Sequence, residues 1–170
     1  AGAANRKRLD SDRHEVELQF ITNALNRRNM HEWSEGGIDL YDYFFAFETN
    51  HQGWAEEEYT FNYVIEKNGK RLLYACDTGL YTEKILNAIA GFGCDTVVME
   101  GTYGSMQMPR GIGHLDCDQF IENAEALVQC GAAKPDAKFY MTHINPFQQA
   151  DHAQLQEYLS GHSDLDITVA

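Results

Sequence analysis

Apolar positions follow a helical period near the N-terminus, a strand period through the middle of the chain, and an alternation of the two towards the C-terminus. Val16, Phe20, Ile21 and Ala24 lie on one helical stripe, and Asp12 with Glu15 forms a capping box ahead of it, which predicts a helix over 13–29. Residues 39–48 (DLYDYFFAFE) and 59–67 (YTFNYVIEK) are rich in aromatic and branched side chains and predict strands. Asn68-Gly69 then supplies a two-residue turn whose positive φ angles suit a hairpin, with 70–76 as the returning strand.

Beyond the hairpin the pattern alternates. It predicts a helix near 81–91, a strand over 95–100, a helix over 117–130 ending at Gly131, a strand over 137–142, a helix over 151–160 and a strand over 165–169. In the helix over 117–130, Phe120, Ile121, Ala124, Leu127 and Val128 form a stripe fit to lie on a sheet, with Asp116 as N-cap and Asp118 as a first-turn charge. The fold class is α/β with an antiparallel hairpin. With no internal repeat, no low-complexity tract and three prolines, residues 1–170 read as a single domain.

Composition narrows the partners. At 170 residues and 44% hydrophobic content the chain can build one core. Twenty-six acidic against thirteen basic residues give a net charge of −13, so phosphate backbones are repelled and nucleic-acid binding is disfavoured. Six of the basic residues, Arg6, Lys7, Arg8, Arg13, Arg27 and Arg28, precede position 29 and read as a solvated helix face. Apolar runs fall short of the roughly 18 to 20 residues a membrane span needs, and no secretory signal is present, which predicts a soluble, cytoplasmic protein. Cys76, Cys94, Cys117 and Cys130 show no zinc-knuckle spacing and are expected as reduced thiols in or near the core.

Three polar residues stand at predicted strand ends: Asp77 after RLLYAC, Glu100 closing DTVVME, and His143 after AKFYMT. Ligand sites of helix-flanked sheets gather at such ends. Taken singly, Asp77 reads equally as a turn residue or a cap for the helix near 81, and His143 as a hydrogen-bonded loop histidine. His51, expected in a polar loop ahead of the hairpin, adds a second imidazole, so that His51, Asp77 and His143 form a ligand set suited to a first-row metal. Trp54, beside His51, reads as a core anchor or a pocket wall, the run Tyr41, Tyr43, Phe44, Phe45, Phe47 as strand core, and His152 and His162 as surface residues.

The ordered segments FETNH-x(7)-YTFNYVI, RLLYACDTG, DTVVMEGTYG, GIGHLD and KFYMTHI resemble the second half of the metallo-β-lactamase-fold hydrolases over about residues 39 to 169. They are most similar to the phosphodiesterase branch containing tRNase Z and the carbon–phosphorus lyase accessory phosphodiesterase. The resemblance implies part of an αββα sandwich holding two divalent metal ions, zinc first, with manganese or iron as other occupants. His51 and His143 would be metal histidines, Asp77 the aspartate bridging the metals, and Glu100 with His114 the pair relaying a proton to the leaving group. The family's H-x-H-x-D-H motif has no match here, and His14 and His31 are isolated, so the expectation is the C-terminal portion of a longer domain.

The activity implied is hydrolysis of a small or cyclic phosphodiester by a metal-bound hydroxide. Two alternatives stand beside it: an acyl hydrolase of the same fold acting on thioesters, lactones or lactams, and a non-catalytic binding module lacking the missing motif. The expected partner is a small-molecule substrate, without nucleic acid or membrane, and the chain is compatible with a homodimer.

Overall fold

The computed structural model describes residues 43–52, 59–111, 113–148 and 150–170, all within the compact unit Tyr41–Ala170. The helix expected over 13–29, the basic cluster, Trp54 and Tyr41 lie outside the described residues.

The order is β1 (Tyr43–Gln52), β2 (Tyr59–Lys67), β3 (Lys70–Ala75), α1 (Glu83–Ile89), β4 (Cys94–Glu100), α2 (Cys117–Gln129), β5 (Ala133–Thr142), α3 (His152–His162) and β6 (Asp166–Val169). The strands form one sheet in chain order, β1-β2-β3-β4-β5-β6, antiparallel through β3 and parallel thereafter. The β2–β3 hairpin turns through Asn68 (φ 52°) and Gly69 (φ 71°), the doubly positive geometry that Asn-Gly favours. Helices must make the returns between parallel strands, which is why the helical and strand periods alternate from residue 70 onwards.

Alternation along the strands sends one set of side chains into the core. Val64, Leu73, Val97, Phe139 and Ile167 pair in register across β2 to β6, and all are buried. Phe120, Ala124 and Leu127 of α2 and Leu155 and Leu159 of α3 belong to the same buried cluster. The opposite row, Tyr63, Tyr74, Val98 and Tyr140, is half-buried or exposed. Asp116 caps α2 by accepting from the Gln119 N–H at 2.9 Å, as expected. Asp151 and Gln154 close a full capping box on α3.

Three boundaries differ from the sequence pattern. β1 runs to Gln52, so His51 stands in the strand and not in a loop. The polar Thr-Asn-His run is held there by side chains: Thr49 and Thr60 hydroxyls lie 2.7 Å apart, and Thr60 Oγ1 donates to the His51 carbonyl at 3.0 Å. β5 starts at Ala133, four residues early, because a pairing shift between Cys94 and Thr96 admits Pro135. Thr82, not Asp77, caps α1.

The four cysteines are free, with Cys94 and Cys117 buried. His152 and His162 are exposed, as their positions implied. No helix among the described residues is long and apolar enough to cross a membrane.

Candidate functional site

β1 is antiparallel to β2, and β2 to β3, so β1 points the same way as β3, β4, β5 and β6. Their C-terminal ends therefore share one edge, where His51, Asp77, Glu100 and His143 all stand, together with the 101–116 loop carrying His114.

His51 is fixed by a hydrogen bond from its Nδ1 to the Gly113 carbonyl at 2.8 Å. A carbonyl can only accept, so Nδ1 carries the proton and Nε2 keeps its lone pair for the site. The loop after β3 comes so close to this contact that a Cβ on Gly79 would lie 3.1 Å from the Gly113 Cα.

Asp77 follows β3 at φ 54°, and His143 follows β5 at φ 58°. With the hairpin's Asn68, they are the non-glycine residues at positive φ among those described. An aspartate tolerates this conformation better than a histidine, and both pay for it in backbone strain. The Asp77 turn is held on every side. Its carbonyl accepts from Thr49 Oγ1 at 3.1 Å, the Cys76 carbonyl from Asn62 Nδ2 at 2.8 Å, and the Gly79 carbonyl from Asn123 Nδ2 at 3.1 Å. The Gly79 N–H donates to Asn50 Oδ1 at 2.9 Å, and the Tyr81 N–H to Asn123 Oδ1 at 2.9 Å. Tyr81 in turn donates its hydroxyl to Asn62 Oδ1 at 2.7 Å, and burial pushes that phenol above its ordinary range, keeping it a neutral donor. The Asp77 carboxylate, by contrast, accepts no hydrogen bond from the described residues, and its Oδ1 faces His143 Nε2 at 3.8 Å.

The left-handed backbone at His143 gives a direct expectation. In metal-free protein His143→Gly should be more stable than His143→Ala by about 1 kcal/mol, because glycine adopts positive φ without a Cβ clash. Denaturant midpoints of the two variants measure this, and an alanine variant of equal or greater stability would contradict it.

Glu100 is fully buried and saturated with donors. Oε1 accepts from the Thr78 N–H and from His114 Nδ1, both at 2.7 Å. Oε2 accepts from the Thr102 hydroxyl, from the Thr102 N–H at 3.3 Å and from the Leu115 N–H at 3.4 Å. With contacts of this kind on both oxygens, the carboxylate has little capacity left for a metal. His114 is thereby turned so that Nε2 points away from Glu100. The His114 ring stands 4.4 Å from that of His51 and 6.1 Å from that of His143, and meets Tyr103 edge-on at 5.9 Å.

All five residues singled out in the sequence thus converge. Potential ligand atoms lie within 4.8 Å of one another in two clusters, His51–Asp77–His114 and Glu100–His114–His143. Since Glu100 is saturated, the donors left are the Nε2 atoms of the three histidines and the Asp77 carboxylate. Two imidazoles, His51 and His143, with a carboxylate, Asp77, that accepts no hydrogen bond from the described residues, fit a divalent metal. The sequence reading missed Thr102 and the asparagines at 50, 62 and 123. Asn62 and Asn123 carried a signal, being polar residues on the inward face of β2 and in the apolar stripe of α2.

Residues 4–144 match the family model described as the beta-lactamase superfamily domain. The chain belongs to this superfamily. The match begins well before residue 39, where the resemblance of the sequence segments begins. Among solved structures, this superfamily member is similar to the metallo-β-lactamase fold protein YhfI from Bacillus subtilis, at TM-score 0.55 and 15% identity over 75% of this chain and 46% of that one. It is similar to unliganded yeast PDE1 at TM-score 0.56 and 15% identity, over 75% of this chain and 43% of that one. A diphosphatase from the PhnP family aligns at TM-score 0.49 and 18% identity, covering 78% and 42% of the two chains. No curated protein matches significantly. The superfamily domain described here has the metallo-β-lactamase fold and spans less than half the length of each of these structures.

Proposed function

We propose that this protein is a metal-dependent hydrolase acting on a small or cyclic phosphodiester. The observation that carries the reading is the Glu100–His114 pair, 2.7 Å apart, in which the carboxylate is buried and the histidine belongs to both ligand clusters. A carboxylate held there has little capacity left for a metal, and a histidine so oriented is placed to hand a proton to a leaving oxygen.

In this reading His51 Nε2, His143 Nε2 and Asp77 hold a pair of divalent ions, zinc first, and the further ligands come from outside the described residues. The ions when bound would supply an acidified water and counter-charge for the phosphoryl oxygens. His114 takes up a proton at Nε2 and delivers it to the departing alkoxide, while Glu100 holds Nδ1–H and keeps the ring from rotating. Asp77 and His143 are each about half exposed at the side chain, whereas His114 is 20% exposed, so substrate reaches the metal side first and the acid from within. With a net charge of −13, a small ester suits the protein better than a polynucleotide.

An acyl hydrolase of the same fold is the competing reading. Metal-loaded full-length protein offered bis(p-nitrophenyl) phosphate, a thioester and a lactone should turn over the phosphodiester in preference. Cleavage of the thioester or lactone alone would move the protein to the acyl class.

A further inference from the structure

We propose that Thr102 is a positioning residue that fixes the tautomer of His143 and ties it to the same buried carboxylate that orients His114. The proposal deepens the reading of His143 as a metal ligand and of Glu100–His114 as a proton-relaying pair.

Thr102 is 8% exposed, and its hydroxyl touches three site residues: Glu100 Oε2, His143 Nδ1 at 3.0 Å and His114 Nδ1 at 3.3 Å. A hydroxyl has one proton and two lone pairs. The Thr102 hydroxyl donates to Glu100 Oε2, which commits its one proton. Towards His143 the oxygen can then only accept, which assigns the proton of that ring to Nδ1. His114 Nδ1–H is already committed to Glu100 Oε1 at 2.7 Å, so its longer approach to Thr102 adds little.

The result is a directed chain, His143 Nδ1–H to Thr102 Oγ1–H to Glu100 Oε2. It leaves the lone pair of His143 Nε2 facing Asp77 Oδ1 across 3.8 Å, with no proton between them. Two acceptors opposed in this way are satisfied by a cation. A ligating histidine ordinarily gives its second nitrogen to a carboxylate or carbonyl. Here a hydroxyl is inserted, so that one carboxylate serves two histidines, Oε1 directly and Oε2 through Thr102. The Thr102 carbonyl also accepts from the Asn145 N–H at 2.9 Å, which holds the loop after His143 against the same residue.

The test compares Thr102→Val, which removes the hydroxyl at similar volume, with Thr102→Ser, which keeps it. Long-range ¹H–¹⁵N spectra of the metal-free protein at pH 8 read the His143 tautomer, and near-ultraviolet circular dichroism confirms that both variants fold. Wild type and Thr102→Ser should show His143 as the Nδ1–H form, and Thr102→Val should shift it towards Nε2–H. In the full-length protein, competition with a zinc chelator should show affinity about 10- to 100-fold weaker for Thr102→Val, largely restored in Thr102→Ser. A wild-type His143 already in the Nε2–H form, or a tautomer unmoved in Thr102→Val, would overturn the proposal. If the tautomers behave as expected while wild type binds no zinc, the role of Thr102 stands and the metal reading falls.

Discussion

Replacing Asp77 in the full-length protein should remove at least one bound metal ion per chain and lower phosphodiester turnover by more than about 100-fold, beyond what losing an outer partner of a ligand costs. The expectation rests on the contrast between its backbone and its side chain. Five side chains from β1, β2, β4 and α2 hold the turn around Asp77, yet among the described residues none donates to its carboxylate. Asp77→Asn is the sharper variant, because asparagine tolerates the left-handed backbone as well as aspartate does and loses only the charge. It should keep the metal-free stability of the wild type while Asp77→Ala loses some. Metal content unchanged in both variants by elemental analysis would make Asp77 a turn residue only.

His114→Ala should leave metal content intact and reduce kcat by about 10² to 10⁴, the usual contribution of a positioned proton donor. The loss should be smallest for p-nitrophenolate, which departs unprotonated, and largest for alkyl esters, whose alkoxides need the proton. Glu100→Gln should reproduce the pattern more weakly, since an amide no longer accepts all five hydrogen bonds. The geometry makes this a real contest, because His114 also lies within ligand distance of His51 and Asp77. Loss of metal in His114→Ala, or an equal loss of rate on every leaving group, would make it a ligand or a structural residue.

The chain order of helices and strands was legible because each parallel return demands a helix, and the two periods differ. Asn68-Gly69 announced its turn for the same local reason. His51 was misplaced because polar residues at a strand end look like a loop until Thr60, nine positions away, supplies their partner. Of the site, the types and order of His51, Asp77, Glu100, His114 and His143 could be read, but not their convergence, which depends on the sheet carrying the ends of β1, β3, β4 and β5 to one edge. Thr102 was hidden because a threonine two residues beyond a strand-end glutamate has no distinctive pattern. Its importance lies in donor and acceptor directions that only three-dimensional contacts define.

The dependence of bis(p-nitrophenyl) phosphate turnover on added divalent metal tests the account most directly. Chelator-stripped full-length protein should be inactive and regain turnover as zinc or manganese is added, saturating near two equivalents per chain. Turnover that persists without metal, or metal bound to saturation with no phosphodiester cleaved, would contradict it.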